Sequence, residues 1–323
     1  MTDRPPASGI QAARNRAAMM RRIRDCFDAA DVLEVDTPAL SRYAVSDTQI
    51  ESFEIQHSLV SQRPIYLHTS PEVCMKRLLS AGYPDIFSIC RVFRDGESGQ
   101  RHQPEFTMIE WYRLGFGLQE IIDDTTKLIA AALSTDVLTG KTAQYDYRDV
   151  FLQSANIDAL TATVDELADA AGADSDLRKA LGDERDDWLD LLLATRVAPL
   201  FDKQRLTVLR HYPASQAALA RLCPDEPRVA DRFEVFLGAL ELANGYVELV
   251  DAEEQLQRMQ ADNANRRRHN RTVRPHDRSL LAALEAGLPA SAGVAMGFER
   301  LQMIDDRTDD IRDVVTFSFE AEQ

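Results

Sequence analysis

Arg94 closes an apolar run, ten polar and glycine-rich residues follow, and the chain returns through Phe106, Glu110 and Tyr112. The planar guanidinium fork of an arginine suits phosphate recognition. Side chains alternate along a strand, so Phe106, Met108, Glu110 and Tyr112 would share one face and Thr107, Ile109, Trp111 and Arg113 the other. A ring, a carboxylate and a phenol beside a polar loop suit the floor of a site. Taken alone, they equally suit a half-buried strand whose Glu110 and Tyr112 satisfy core hydrogen bonds.

A second pair of carboxylates lies in "ELANGYVE". Asn-Gly is a strong hairpin signal. A two-residue turn at Asn244–Gly245 would set Ala243 opposite Tyr246, Leu242 opposite Val247 and Glu241 opposite Glu248. Facing carboxylates repel by roughly a few tenths to 1 kcal/mol, and a bridging divalent cation would offset that cost. Magnesium commonly takes one or two carboxylates together with substrate phosphates, which suggests a nucleotide site. An exposed hairpin with splayed glutamates is the alternative. Near the end, "AGVAMGFERL" places Gly293 and Gly297 about a strand-to-helix junction. A helix opening at Gly297 would aim free N–H groups and its positive dipole end at an anion, with Arg300 in the first turn.

These residues need elements to hold them. Met19, Ile23, Phe27 and Ala30 recur at helical spacing. "VLEVDTPAL" (32–40) reads as a strand ended by Pro38, and "PIYLH" (64–68) as another. Ser70 reads as an N-cap with Pro71 at the first helical position. "IFSICRVFR" (86–94) and "EFTMIEWYR" (105–113) are strands, and helices are expected at about 118–133, 163–171 and 184–197. Strands resume at 205–212 and 232–249, and Asp251 with Glu254 forms a capping-box pattern. A helix near 278–286, a strand near 291–296, a helix from Gly297 and a strand "DVVTFSF" close the chain. Hairpin-joined strands with helices set apart imply an α+β fold with an antiparallel sheet. Residues 1–10 form a loose end, and one domain spans 11–323 with a helical insertion at about 150–204.

Bulk composition sets limits. The 323 residues are 45% hydrophobic and 28% charged, which allows a packed core. No apolar run approaches the roughly 20 residues a membrane span needs, and no leader is expected from "MTDRPPASGIQAARNR", which holds no apolar segment. Cys26, Cys74, Cys90 and Cys223 form no CxxC pair and read as reduced thiols of a cytoplasmic protein. A net charge of −16 argues against a protein that grips a nucleic-acid backbone. A basic stretch between Arg258 and Arg278 is either a solvated helix end or a docking patch for an acidic partner.

Arg94 with its loop and Phe106, the Glu241/Glu248 segment, and "GVAMGFER" resemble motifs two and three of class II aminoacyl-tRNA synthetases, in order, from about residue 12 onward. "DTPAL" looks like motif one, which in that class forms part of a dimer interface, so a homodimer is implied. "RHQPEFTMIEWY", "RFEVFLGALELANGYVEL" and "DAEEQ" resemble the lysyl branch. No segment of over a hundred residues precedes motif one, so an anticodon-binding domain is expected to be missing. "HYPASQAALA" and Ala295, where lysyl synthetases have glycine, match the elongation factor P–(R)-β-lysine ligase family. That family resembles a lysyl synthetase catalytic domain that modifies a protein lysine instead of a tRNA.

The resemblance implies an ATP- and Mg²⁺-dependent adenylating enzyme with a diamino acid substrate, elongation factor P as acceptor and no tRNA. It implies that Arg94 holds the α-phosphate of ATP and that Phe106 and Arg300 sandwich the adenine. Asp95, Gly96, His102, Gln103, Leu242 and Gly297 would border the nucleotide. Glu241 and Glu248 would carry Mg²⁺, with Glu248 also near the substrate amine. Ser70, Pro71, Glu72, Tyr112 and Ala295 would line the amino-acid pocket, with Glu110 and Glu254 as further candidates. The chain departs from the family at Gly96, where motif two usually has glutamate, and at Gln103, where asparagine is common. Other readings are a lysine-activating enzyme with another acceptor, tRNA included, and a non-catalytic paralogue.

Overall fold

The computed structural model describes residues 7–134 and 137–319. The expected loose end falls mostly outside them; residues 7–9 lead into a helix at Ile10. Two compact units divide the chain. The first comprises Met1–Phe116, Lys127–Ser134 and Val250–Gln323, and the second Gly117–Thr126 and Thr135–Leu249.

Elements follow in chain order: α1 (Ile10–Asp28), β1 (Leu33–Glu34), β2 (Leu40–Ser41), β3 (Glu54–Ile55), β4 (Ile65–Leu67), α2 (Glu72–Ser80), β5 (Ile86–Phe93), β6 (Glu105–Leu114) and α3 (Leu118–Ala132). Next come β7 (Ala143–Asp146), α4 (Tyr147–Ala155), α5 (Val164–Ala171), α6 (Ser175–Leu181), α7 (Arg185–Leu192), β8 (Leu206–Arg210), β9 (Arg232–Leu237) and β10 (Leu240–Val247). The chain returns to the first unit with α8 (Ala252–Arg268), α9 (Arg278–Glu285), β11 (Ser291–Gly297) and α10 (Phe298–Asp305).

In the first unit, strands run in the order β1-β5-β6-β11. β1 pairs parallel with β5, and the β5/β6 and β6/β11 pairs are antiparallel. α1 covers one face: Phe27 stacks on Phe87 at 4.2 Å and meets Trp111 edge-on at 5.6 Å. On the other face Met75 and Leu79 of α2, Met259 of α8, and Leu280 and Leu284 of α9 pack with Ile86 and Tyr112. Both faces of β6 are therefore covered, which is why its residues from Thr107 to Tyr112 are all buried.

In the second unit the order is β10-β9-β8-β7, antiparallel except for the parallel β7/β8 pair. Helices α4, α5 and α7 supply Tyr147, Phe151, Leu167, Trp188 and Leu189 to a core shared with Leu209 and Phe236. The fold is α+β, with largely antiparallel pairing and flanking helices.

Four expectations are corrected. "VLEVDTPAL" is two separate two-residue strands, β1 and β2, in different sheets. "DVVTFSF" forms no strand among the described residues; Val314 and Val315 instead close a small cluster with Met303 and Ile311. α2 has Pro71 rather than Ser70 as its N-cap, although Ser70 Oγ still accepts a bond from the Glu72 N–H at 2.9 Å. The β9/β10 hairpin turns at Gly238–Ala239, not at Asn244–Gly245, which pair within the ladder with Glu234 and Phe233. Gly238 has φ +54°, a left-handed conformation that glycine adopts without a Cβ penalty.

Candidate active site

The front face of the first unit's sheet is built in cross-strand rows. Ser88, Glu110 and Ala295 stand side by side, as do Ile86, Tyr112 and Gly293, and Cys90, Met108 and Gly297. The residues of β11 beside Glu110 and Tyr112 are small, Ala295 and Gly293. Ala295 lies directly opposite Glu110, so its methyl group flanks the base of that side chain.

Glu110 is 2% exposed. It accepts bonds from Ser70 Oγ at 2.7 Å and Tyr112 OH at 2.8 Å. Burial, and then the charge of Glu72, push its carboxyl up to about 8. Lys76, one helical turn beyond Glu72 on α2, is itself buried and donates to Glu72 at 2.6 Å. Pro71 is buried and Ser70 half-buried. The result is a compact group of Ser70, Glu72, Lys76, Glu110 and Tyr112, with two carboxyls and one ammonium. A second ammonium-bearing molecule would be drawn to it.

The long loop leaves β5 at Arg94 and is pinned at several points. The Arg94 N–H bonds Pro104 O, the Asp95 N–H bonds Glu51 O, and Gly99 and His102 bridge each other. Gly96 has φ +82°, so its identity answers a backbone need; a β-carbon there would be strained. Glu97 lies 3.5 Å from Arg94 Nη1. The Arg94 guanidinium sits 5.2 Å over the Phe106 ring, and its buried Nε has no hydrogen-bond partner. A buried cationic donor left unbonded suits an anion supplied from outside the chain. Asp95 is exposed, and Gln103 is buried, its Oε1 accepting from the Phe319 N–H at 2.8 Å. At α10, Arg300 Nη2 meets His102 Nε2 at 2.6 Å, and Gly297 is the N-cap.

The second unit holds Glu241 and Glu248, and not opposite each other as the Asn-Gly turn implied. Glu241 pairs with Phe236 and Ala243 with Val235, so Leu242 is an extra, bulged residue. Glu241 and Glu248 lie an odd number of positions apart and would point to opposite faces of a regular strand. The bulge shifts the parity, so by alternation Glu241, Asn244, Tyr246 and Glu248 share a face with Arg232 and Glu234. Glu248 is 2% exposed and bridges Ala220; Leu242 is buried.

Sequence reading missed the neighbours on that face. Glu234 is buried, accepts from Tyr212 OH at 2.6 Å and pairs with Arg232 at 2.7 Å. Burial and the charge of Glu241 push the Glu234 carboxyl up to about 7. Burial opposes charge on Arg232, yet Glu234, Tyr212 and Glu241 around it raise its pKa. Glu234 and Arg232 alternate in step along "RFEVFL", a period-two polar pattern that was the available signal. Lys76 and Glu299 were also missed. Glu299 is buried and accepts from the Thr107 N–H at 2.9 Å and from Arg16 at 3.0 Å, tying α10 and α1 to β6. Glu254 bonds Arg258 at 2.5 Å, and its N–H donates to Asp251 at 2.9 Å, so both its groups serve the start of α8.

The basic stretch divides. Arg266 is fully buried, donating to Glu51 at 2.6 Å and to the carbonyls of Thr272 and Asp47. Arg267 and Arg268 are exposed. Among the described residues no helix is long and apolar enough to cross a membrane.

The chain matches the model of class II tRNA synthetases (D, K and N) over residues 8–321. It is 41% identical over 315 residues to the elongation factor P–(R)-beta-lysine ligase of Mannheimia succiniciproducens, covering 97% of this chain and 96% of that protein. It is 40% identical over 318 residues to the enzyme of that name from Haemophilus ducreyi, covering 98% and 96%. The protein of that name from Pasteurella multocida is 39% identical over 318 residues, covering 98% and 97%. The chain belongs to the class II tRNA synthetase family, and it is an ATP-dependent ligase.

Proposed function

We propose that this ligase adenylates a cationic diamino acid, (R)-β-lysine or lysine, and transfers it to a lysine side chain of elongation factor P. End-to-end similarity to ligases of that name supports the acceptor. The observation that carries the substrate class is the buried Glu110 carboxyl, hydrogen-bonded by Ser70 and Tyr112 beside Glu72. A carboxyl pushed up by burial ionises when an ammonium group enters beside it, so a substrate with two ammonium groups is favoured.

In the first half-reaction the substrate carboxylate attacks the α-phosphorus of ATP. A P–O bond forms, the α–β phosphoanhydride bond breaks, and pyrophosphate leaves. Arg94 neutralises the α-phosphate, for which its unbonded Nε is available. Phe106 offers its ring to the adenine, and Arg300, Asp95, Gly96, His102, Gln103 and Gly297 border the nucleotide. No side-chain nucleophile is needed; positioning and charge neutralisation supply the catalysis. Ser70, Pro71, Glu72, Glu110, Tyr112 and Ala295 orient the amino acid. In the second half-reaction the acceptor's ε-amine attacks the carbonyl carbon, AMP leaves, and the amine's proton passes to solvent.

Glu241 and Glu248 are the proposed Mg²⁺ ligands. Their hard oxygen donors suit that ion, and the upward push of Glu241 on Glu234 marks a face rich in carboxylates. When bound, Mg²⁺ would neutralise phosphate charge. The enzyme acts in the cytoplasm as a homodimer, without tRNA and without a membrane.

Amino-acid-dependent ATP–pyrophosphate exchange tests the first half. Exchange with (R)-β-lysine or lysine is expected, and none with lysine or either β-lysine enantiomer would reject the enzyme reading. Incubation with elongation factor P then decides the acceptor. Its mass should rise by one aminoacyl group; an unchanged mass alongside active exchange would move the acceptor elsewhere.

A further inference from the structure

The loop that follows β8 contains three metal-ligating side chains that the ligase chemistry does not use. A ligand atom from each of His211, Cys223 and Asp231 lies within 4.8 Å of the other two. The backbone explains why they meet. Leu222 bridges Ala230, the Cys223 N–H bonds Val229 O, and the Asp231 N–H bonds Arg221 O. Residues 221–231 are thus a hairpin in which Cys223 and Asp231 are diagonal neighbours on one face. His211 comes from the adjoining segment. Arg210 pairs with Phe233 but Pro213 with Val229, so the register slips by one between them. His211 sits in that slip with φ +58°. A left-handed conformation at a residue with a Cβ costs roughly 1–2 kcal/mol, and such irregularities re-aim side chains.

The remaining atoms are already held. Nδ1 of His211 is 2.8 Å from Asp146 Oδ1, which leaves Nε2 for a ligand. A carboxylate behind a histidine is the usual support of a metal-bound imidazole. Arg221 Nε donates to Asp231 Oδ2 at 2.7 Å, which leaves Oδ1. Asp231 is 4% exposed, while His211 and Cys223 are half-buried. An ion can therefore reach the group from solvent.

We propose that His211, Cys223 and Asp231 form a site for a borderline-soft divalent transition ion of the zinc class. Nitrogen, thiolate and carboxylate oxygen suit zinc in type and number, with a fourth position open to water. A tetrahedral ion sets such ligands about 3.3–3.7 Å apart, so small rotamer changes close the present spacing. Binding releases the Cys223 proton, and the thiolate offsets part of the ion's charge together with Asp231, which Arg221 already pairs. The bound ion staples the end of β8 to the 221–231 hairpin. The hairpin adjoins the end of β10, where Val247 bonds both Arg221 and Asp231, but none of the three side chains is assigned to adenylation, so failure of the metal site would leave the ligase reading standing.

Cobalt(II) is the probe, because thiolate ligation gives a near-ultraviolet charge-transfer band. The full-length protein, titrated without ATP, should take up one equivalent with that band, and zinc should displace it. Cys223→Ser should abolish the band, whereas Cys26→Ser should keep it. His211→Asn is the second variant, since asparagine tolerates the left-handed conformation; it should lose stoichiometric binding with an unchanged far-UV CD spectrum. Asp146→Asn should weaken cobalt binding by about 10–100-fold. No band in the wild-type protein, or a band that survives Cys223→Ser, would overturn the site.

Discussion

At the scale of single residues, Glu110 is the most informative side chain. It is buried, bonded by Ser70 and Tyr112, and raised to about 8 by burial and by Glu72. Its charged form attracts an ammonium group, so the KM for the diamino acid should fall as pH rises toward 8. Glu110→Gln keeps the shape but removes the charge. It should lower kcat/KM for the amino acid by about 10–100-fold, the worth of a hydrogen bond to a charged group. It should also flatten that pH dependence while sparing the KM for ATP. Pyrophosphate exchange measured against pH for both proteins checks this, and equal pH profiles would remove Glu110 from the pocket. The facing of Glu110 and Tyr112 was legible from strand alternation in "EFTMIEWY". Lys76 was not, because its burial depends on α2 lying over the sheet. Gly96 looked like a lost family contact, yet its φ of +82° gives the glycine its own reason.

At the scale of elements, the β10 bulge decides where Glu241 points. The Asn-Gly dipeptide suggested a turn, but Gly238–Ala239 makes the turn instead, and Asn244 bonds Arg232 at 3.1 Å within the sheet. Local turn preference lost to a longer ladder. Inserting an alanine between Val235 and Phe236 should give Leu242 a partner, restore regular pairing and rotate Glu241 to the other face. Exchange activity should drop at least about tenfold with the CD spectrum retained, whereas Leu242→Ala should preserve the Mg²⁺ titration. An insertion variant with a normal Mg²⁺ requirement would refute the role of the bulge. α8 offers a second test. Arg266 is fully buried and donates to Glu51 and to the carbonyls of Thr272 and Asp47, and each buried acceptor left unbonded costs about 1–3 kcal/mol. Arg266→Ala should therefore lower the urea midpoint strongly. Arg267→Ala with Arg268→Ala should leave stability and exchange unchanged while weakening transfer to the acceptor protein. Unchanged transfer would show that this end of α8 does not dock the acceptor.

At the scale of the whole molecule, buried carboxyls set the response to pH. Glu110 is raised to about 8, Glu234 to about 7 and Asp190 to about 6, each chiefly by burial. Between their unfolded values near 4 and these folded values, the native state binds more protons than the unfolded chain. Stability must therefore fall as pH rises through that window. The net charge of −16 adds repulsion in the same direction. Below it, salt-bridged carboxylates such as Glu226 and Asp310, lowered to about 2 by Arg228 and Arg312, lose their contribution as they are protonated. Urea midpoints should peak near pH 4–5 and decline toward pH 8; a peak above pH 8 would contradict this assignment. The sequence by itself determined the α+β class, most strands and helices, the family and the residues offered for ATP and the amino acid. Those follow from periodicity and from motifs that are local in the chain. Only the tertiary structure decided the hairpin register, the bulge that turns Glu241, the burial of Arg266 and Lys76, and the meeting of His211, Cys223 and Asp231. Each of these depends on which strand or helix lies alongside, and that partner is fixed by the packing of residues far apart in the chain.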